Sequence, residues 1–307
     1  MNNYHKGIIE IIERNIGKTK EIIPVGHHEL GRHFVYRIED SKNKQYILKI
    51  YGKENRWCKE VNALELLNGV ILCPEVINKG ILENGVEWIL QEKISGVILE
   101  EIWDHLSNNN KIYIIEEIGE ILGSIHSSYK YDYYGYCEKL EYRVDDKKGF
   151  ISYRKSKDKK IINNILKQEL PHKEFLKKTY SAMIKYYRYL NTNEYSCLCH
   201  HDFSARNIMV NRKENMWKVT GVIDFEHSYP NDPYIDFTDL YQTIFIDEKP
   251  LEYYFLRGYT KYMKLDRNHI EKVRYYLLNK GLFICSWTYD SIRDYYNEGM
   301  RLLKWLI

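Results

Sequence analysis

The prevailing hydrophobic period changes at Ser95-Gly96, and that change restricts the fold more than any other feature. Before it, apolar residues fall in short runs broken by polar turns. His33 to Glu39 and Gln45 to Tyr51 flank Asp40-Ser-Lys-Asn-Lys44, and Val76 to Leu82 and Val86 to Glu92 flank Glu83-Asn84-Gly85. Runs of that length around such turns predict two β-hairpins. Between them, Asn55 to Leu67 carries apolar residues at 57, 61, 64 and 67, the spacing of one helix face. At the N-terminus, isoleucines 8, 9, 12 and 16 predict an amphipathic helix.

After Ser95-Gly96 the spacing is helical over Lys111 to Ser127, Lys159 to Leu170, Lys173 to Leu190, Pro250 to Tyr262 and Asn268 to the C-terminus. One interruption stands out: Ile208 to Val210 and Trp217 to Ile223 are short apolar runs around Asn211-Arg-Lys-Glu-Asn215. The pattern predicts an α+β chain, with a small β-rich lobe over 1–92, a hinge over 93–96 and a larger, mainly helical lobe over 97–307. At 307 residues with 44% hydrophobic and 29% charged side chains, the core can be substantial.

Composition excludes several classes of function. A net charge of +3 with scattered Lys and Arg does not predict nucleic-acid binding. No apolar run approaches the ~20 residues of a bilayer span, and residues 1–16 lack a signal-peptide core, so a cytoplasmic protein is expected. The six cysteines are widely spread, which predicts reduced thiols. No interface pattern stands out, and a monomer is the simplest expectation. The lysine-rich stretch from Val144 to Pro171 reads as a solvated face.

The densest chemistry lies in Cys199-His200-His201-Asp202-Phe203-Ser204-Ala205-Arg206-Asn207, followed by Gly221-Val222-Ile223-Asp224-Phe225-Glu226. Phosphoryl transfer needs one carboxylate to orient an attacking hydroxyl, and oxygen ligands for Mg²⁺ on the phosphates. Asp202, Asn207 and Asp224 supply that set, and Mg²⁺ favours one or two carboxylates plus phosphate oxygens and water. A zinc reading of Cys197, Cys199 and His200 has no second ligand pair at finger-like spacing.

The paired motif, with the trailing Asp232-Pro233-x-x-Asp236-Phe237, resembles the signature of aminoglycoside phosphotransferases and their choline-kinase-like relatives. The resemblance implies a bilobal protein-kinase-like fold with nucleotide in the cleft, ATP by default and GTP as the alternative. It implies Asp202 as catalytic base or hydroxyl-orienting residue, Asn207 and Asp224 as magnesium ligands, and His200 as a support of the loop. Such a kinase also needs a strand lysine on the phosphates and a helix carboxylate to hold it. Lys49 in Tyr46-Ile-Leu-Lys-Ile50 and Glu60 on the next helix fit, with Glu54 and Glu65 as rivals for the pairing. Gly26 and Gly31 mark a phosphate-covering segment that is not GxGxxG. Trp88 to Gly96 resembles the family's hinge, which places the base near Glu92 and Ile94.

For the acceptor, Asp232, Asp236, Asp290, Asp294, Glu298 and Trp287 are the candidates. The spacing by four of Asp290, Asp294 and Glu298 predicts one acidic helix face. Carboxylates beside a catalytic aspartate attract a cationic substrate, and an aromatic ring adds a cation–π surface. The leading expectation is phosphorylation of an aminoglycoside, conferring antibiotic resistance. The alternatives are a metabolic kinase for choline, an amino sugar or a similar alcohol, and a macrolide kinase. A catalytically dead scaffold has no chemical need for Lys49, Asp202, Asn207 and Asp224 together. Against a protein kinase stand Asp224-Phe-Glu and the lack of an Ala-Pro-Glu segment.

Overall fold

The computed structural model describes residues 2–26, 33–136, 142–144, 147–190 and 195–307. Gly31 and Cys137 lie outside these, as do residues 27–32 of the phosphate-covering segment. The architecture is α+β, and the chain falls into two units: Met1–Ile102 with Asn207–Ser228, and Trp103–Arg206 with Tyr229–Ile307.

The first unit is built on an antiparallel sheet. Its strands are β1 (Thr19–Val25), β2 (His33–Asp40), β3 (Gln45–Tyr51), β4 (Val76–Ile81) and β5 (Glu87–Glu92), in spatial order β1-β2-β3-β5-β4. Alternation along a strand sends successive side chains to opposite faces. On β3, Leu48 and Ile50 go to the face covered by α1 (Asn2–Asn15), where they join Ile8, Ile11, Ile12, Ile38, Trp88 and Leu90 in one buried cluster. Lys49 and Tyr51 go to the other face. Ile9 was expected on the apolar face of α1 but is 40% exposed, because one residue along a helix is a turn of about 100°. The helix α2 (Trp57–Leu67) follows β3. A further hairpin, Ile208–Lys213 with Met216–Val222, belongs to this unit and pairs with Val97–Ile98.

The second unit is mainly helical. Its helix over Asn108–Ser128 packs on Leu251–Tyr259 so closely that a Cβ on Gly119 would lie 2.1 Å from Phe255 O, and one on Gly258 2.1 Å from Glu116 O. Only glycine permits that approach. A small sheet made of Lys130–Tyr131, Ser196–Cys199 and Tyr229–Asn231 holds the chain leading to Asp202. In the lysine-rich helix Lys147–Lys167, Lys155, Lys157, Lys159 and Lys160 are exposed, while Asp158 is buried and accepts from the hydroxyls of Tyr275 (2.7 Å) and Tyr187 (2.8 Å).

One expected element is broken in two. The helix expected from Asn268 onward ends at Cys285 and resumes at Arg293, continuing to Leu306. Ser286 Oγ bonds to Phe283 O and Thr288 Oγ1 to Ile284 O, 2.7 Å each. Hydroxyls bound in this way to the preceding turn compete with helix propagation. Among the described residues no helix is long and apolar enough to cross a membrane.

Candidate active site

In the first unit the charged side chains converge on Lys49. Its Nζ is 2.7 Å from Glu60 Oε2, 2.7 Å from Asp224 Oδ1 and 2.8 Å from Glu226 Oε2. β3 brings the lysine, α2 brings Glu60, and the segment after Val222 brings the other two. Lys49 and Glu60 are buried, whereas the Asp224 side chain is 36% exposed. Burial opposes the ammonium, yet Asp224, Glu60, Tyr51 and Glu226 outweigh it, so the lysine pKa is raised well above its ordinary value. Tyr51 donates its hydroxyl to Glu60 at 2.5 Å. Of the rival carboxylates, Glu65 pairs instead with Lys79.

Asn207 and Asp224 are neighbours because the hairpin pairs Ile208 with Val222 and because Ile223 N–H donates to Asn207 O at 2.9 Å. Asp224 has a φ of 64°, a left-handed conformation that is costly for a side chain with a Cβ. Asn207 is 7% exposed. The pair offers an amide oxygen and a carboxylate, the hard donors that Mg²⁺ prefers, so the residues fit that ion. Glu60, Asp224 and Glu226 also place carboxylate oxygens within 4.8 Å of one another. Glu226 lies two residues after Asp224 in the motif, and its sequence context alone assigns it no role. Burial works against its ionisation, but His227, His33 and Lys49 outweigh that, and its carboxyl is held well below the usual range.

In the second unit, the loop carrying Asp202 is fastened from beneath. Asp236 Oδ2 accepts from His200 N–H (2.6 Å) and lies 3.1 Å from His126 Nε2, and Asp236 Oδ1 accepts from His201 N–H (2.7 Å). His126 Nδ1 stands 3.0 Å from the Tyr259 hydroxyl. Burial opposes the charge on Asp236, but His126, His201 and His200 outweigh it and lower its pKa. His200 is buried, its Nδ1 3.3 Å from Asp202 N–H, while His201 (φ 65°) stacks on Tyr229 at 3.7 Å. The two thiols before the loop, Cys197 and Cys199, are buried 3.7 Å apart, and burial pushes both upward. Inert, protonated thiols follow from that. The Asp202 side chain is 30% exposed, with Arg206 Nη2 at 3.4 Å from Oδ1.

The candidate acceptor residues divide sharply. Asp232 and Asp236 are 1% and 0% exposed and spend their carboxylates inside the unit, so neither lines a surface. Asp232 caps a short turn by accepting from Tyr234 N–H at 3.1 Å. Asp290 lies in the break before Arg293, so the four-residue spacing holds only for Asp294 and Glu298, both exposed. Glu298 Oε2 accepts from Gln242 at 3.2 Å, and Trp287 is exposed with its ring 6.2 Å from Tyr295. Tyr295 feels the charges of Asp239, Arg206, Glu298 and Asp202. Its own pKa is raised, chiefly by burial. Lys280 pairs with Asp239.

At the other predicted nucleotide positions, Gly26 follows β1 with φ 78°, and among the described residues no atom lies within 4 Å of where a Cβ would stand. The amides of Glu92 and Lys93 donate to Glu75 O (3.0 Å) and Gln45 O (3.1 Å). Ile94 is half-buried, its side chain against Gly221.

The model of the phosphotransferase enzyme family matches residues 27–269, most of the chain and the whole of both motifs. The chain belongs to that family. It is thereby a nucleotide-dependent small-molecule kinase, in the group that the paired signature resembles. No curated protein matches the phosphotransferase by sequence. Among solved structures, it is similar to a thermostable mutant of aminoglycoside phosphotransferase APH(4)-Ia in apo form, with a TM-score of 0.71 and 13% identity over 97% of each chain. The same enzyme in a ternary complex with AMP-PNP and hygromycin B gives 0.70 at 13% identity, again over 97% of each chain. The GDP complex of aminoglycoside 2'-phosphotransferase-IIIa gives 0.68 at 18% identity, over 99% of this chain and 98% of that one. At such identities the likeness shows a shared fold, the α+β protein-kinase-like one.

Proposed function

We propose that this phosphotransferase moves the γ-phosphate of ATP, or of GTP, to a hydroxyl of an amine-bearing small molecule, an aminoglycoside first among them. The observation that carries the reading is Lys49, buried and charged, set 2.7 Å from both Glu60 and Asp224. A kinase site needs a lysine positioned by a helix carboxylate beside a metal-binding aspartate. In this reading Lys49 holds the α/β-phosphates, and Asn207 and Asp224 hold Mg²⁺. When bound, that ion neutralises phosphate charge. Asp202 orients the acceptor hydroxyl and takes its proton, on a loop kept rigid by Asp236. Residues 93–96 form the hinge. With the Glu92 and Lys93 amides already donated, Ile94 N–H is the donor we assign to the purine edge. Gly26 allows backbone to approach phosphate.

The acceptor reading rests on Glu298, Asp294 and Trp287, which are exposed in the unit that carries Asp202. Solved neighbours include a kanamycin complex and a hygromycin B complex, which supports an aminoglycoside acceptor. A second reading draws on Lys280 against Asp239 and Arg206 against Asp202. These cations dilute the negative surface and favour a less highly charged acceptor such as choline or an amino sugar. Antibiotic resistance, a cytoplasmic setting and a monomeric state belong to the first reading.

The test is nucleotide consumption by the purified chain with Mg²⁺, using ATP and GTP separately, against aminoglycosides, choline, amino sugars and a macrolide. Stimulation by aminoglycosides that Asp202→Asn abolishes supports the first reading. Stimulation by choline or a sugar alone moves the enzyme into metabolism and sinks the resistance assignment.

A further inference from the structure

His33 is the first residue of β2, where the chain enters the sheet after residues 27–32. Its Nε2 lies 2.9 Å from Glu226 Oε2, although the two are not aligned as a hydrogen bond. That same oxygen stands 2.8 Å from Lys49 Nζ. The imidazole also meets the Tyr51 ring edge-on, centroids 5.3 Å apart at 72°. Tyr51 in turn donates to Glu60, the other glutamate on Lys49. The other oxygen of Glu226 is 3.4 Å from His227 Nε2, and the His227 ring faces Arg56. The side chains of His33 and Glu226 are each 11% exposed.

Glu226 is not needed to balance Lys49, because Glu60 and Asp224 already bring two negative charges to one ammonium. A third carboxylate beside a phosphate-binding lysine repels the phosphates unless basic groups hold it in place. His33 and His227 stand at its two oxygens in that position.

We propose that His33 and Glu226 are a pair of positioning residues for nucleotide. The imidazole fixes Glu226, and Glu226 then holds Lys49 from one side while Glu60 holds it from the other. The pair also ties the start of β2 to the turn that carries Asp224. This rests on the reading of Lys49 as the phosphate-binding lysine.

The experiment measures equilibrium binding of ATP and GTP with Mg²⁺ to the full chain, with no acceptor present. The variants are His33→Ala, His33→Gln, Glu226→Gln and the double variant His33→Ala with Glu226→Gln, each with its thermal unfolding recorded. His33→Ala should weaken binding on the order of tenfold, the scale seen when a partner that orients a ligating group is removed. His33→Gln keeps a donor for Glu226 and should recover most of that loss. The double variant should lose less than the product of the single losses, because both changes break one pair. Undiminished binding by His33→Ala overturns the proposal. So do single losses that multiply, or a Gln variant that regains thermal stability but not binding. A wild-type chain that binds neither nucleotide overturns the kinase reading itself, a failure distinct from the other three.

Discussion

Two groups of carboxylates in this enzyme have opposite surroundings. Around Lys49, Glu60 and Glu226 are buried against a cation, and Asp224 is the member that keeps access to solvent. In the helical unit, Asp236 is sealed beneath the loop and holds backbone amides, while Asp202 is half-buried and Asp294 and Glu298 are exposed. The difference separates carboxylates spent on partners within the fold, which we propose arrange the site, from those left open to solvent. An arranging carboxylate is desolvated when the chain folds, so its removal leaves buried partners unpaired. An exposed one costs little until a reactant meets it.

The sharpest way to break this division is at Asp202. Asp202→Asn should lower kcat by about 10²–10⁴-fold, the range for a lost proton acceptor, with nucleotide affinity nearly unchanged. Retention of wild-type turnover would remove Asp202 from the chemistry. Asp236→Ala should act on stability first. Chemical denaturation should show a loss of about 3 kcal/mol, since His126 and the amides of His200 and His201 are left without their acceptor. A loss within 0.5 kcal/mol, the ordinary surface range, would mean Asp236 arranges nothing.

The pH dependence of folding tests the same contrast. Glu226 and Asp236 both have folded-state pKa values below their unfolded ones. Their stabilisation is therefore complete above the unfolded carboxylate range near pH 4 and is lost as pH falls through the depressed values. Denaturation midpoints should fall between pH 5 and pH 3 by an amount equivalent to about 2 kcal/mol. Asp236→Asn should flatten that slope; an unchanged slope would show that the buried carboxylate is not the source. The smallest effect is expected at Asp290, exposed in the break before the last helix. Asp290→Asn should change acceptor KM by less than about twofold, while Glu298→Gln raises it several-fold for a cationic acceptor if charges near Asp202 recognise it. Equal effects at the two positions would erase the distinction between them.

Much of this was legible before any tertiary contact was known. The hairpins β2–β3 and β4–β5 could be read because apolar runs and polar turns are local signals. That Asn207 and Asp224 are neighbours was visible because a hairpin-length gap separates two short motifs. Glu60 was preferred beside Lys49 over Glu54 and Glu65 only in the context of the later motifs, since a helix face does not say which turn meets the strand. The break after Cys285 was missed because apolar spacing continues through Ser286 and Thr288, whose hydroxyls turn back onto the chain. The roles of His126, 110 residues from Asp236, and of Glu226 on Lys49 left no local signal at all.

By itself, then, the sequence determined the class of the chain, its change from strands to helices and the side chains we propose to handle phosphate. Those properties depend on neighbours within a few turns or one hairpin, where spacing dictates which face a residue occupies. Only the tertiary structure decided which carboxylates are buried arrangers and which are open. Burial and ion pairing are set by residues distant in the chain, and Asp232 and Asp294 look alike until something packs over one of them.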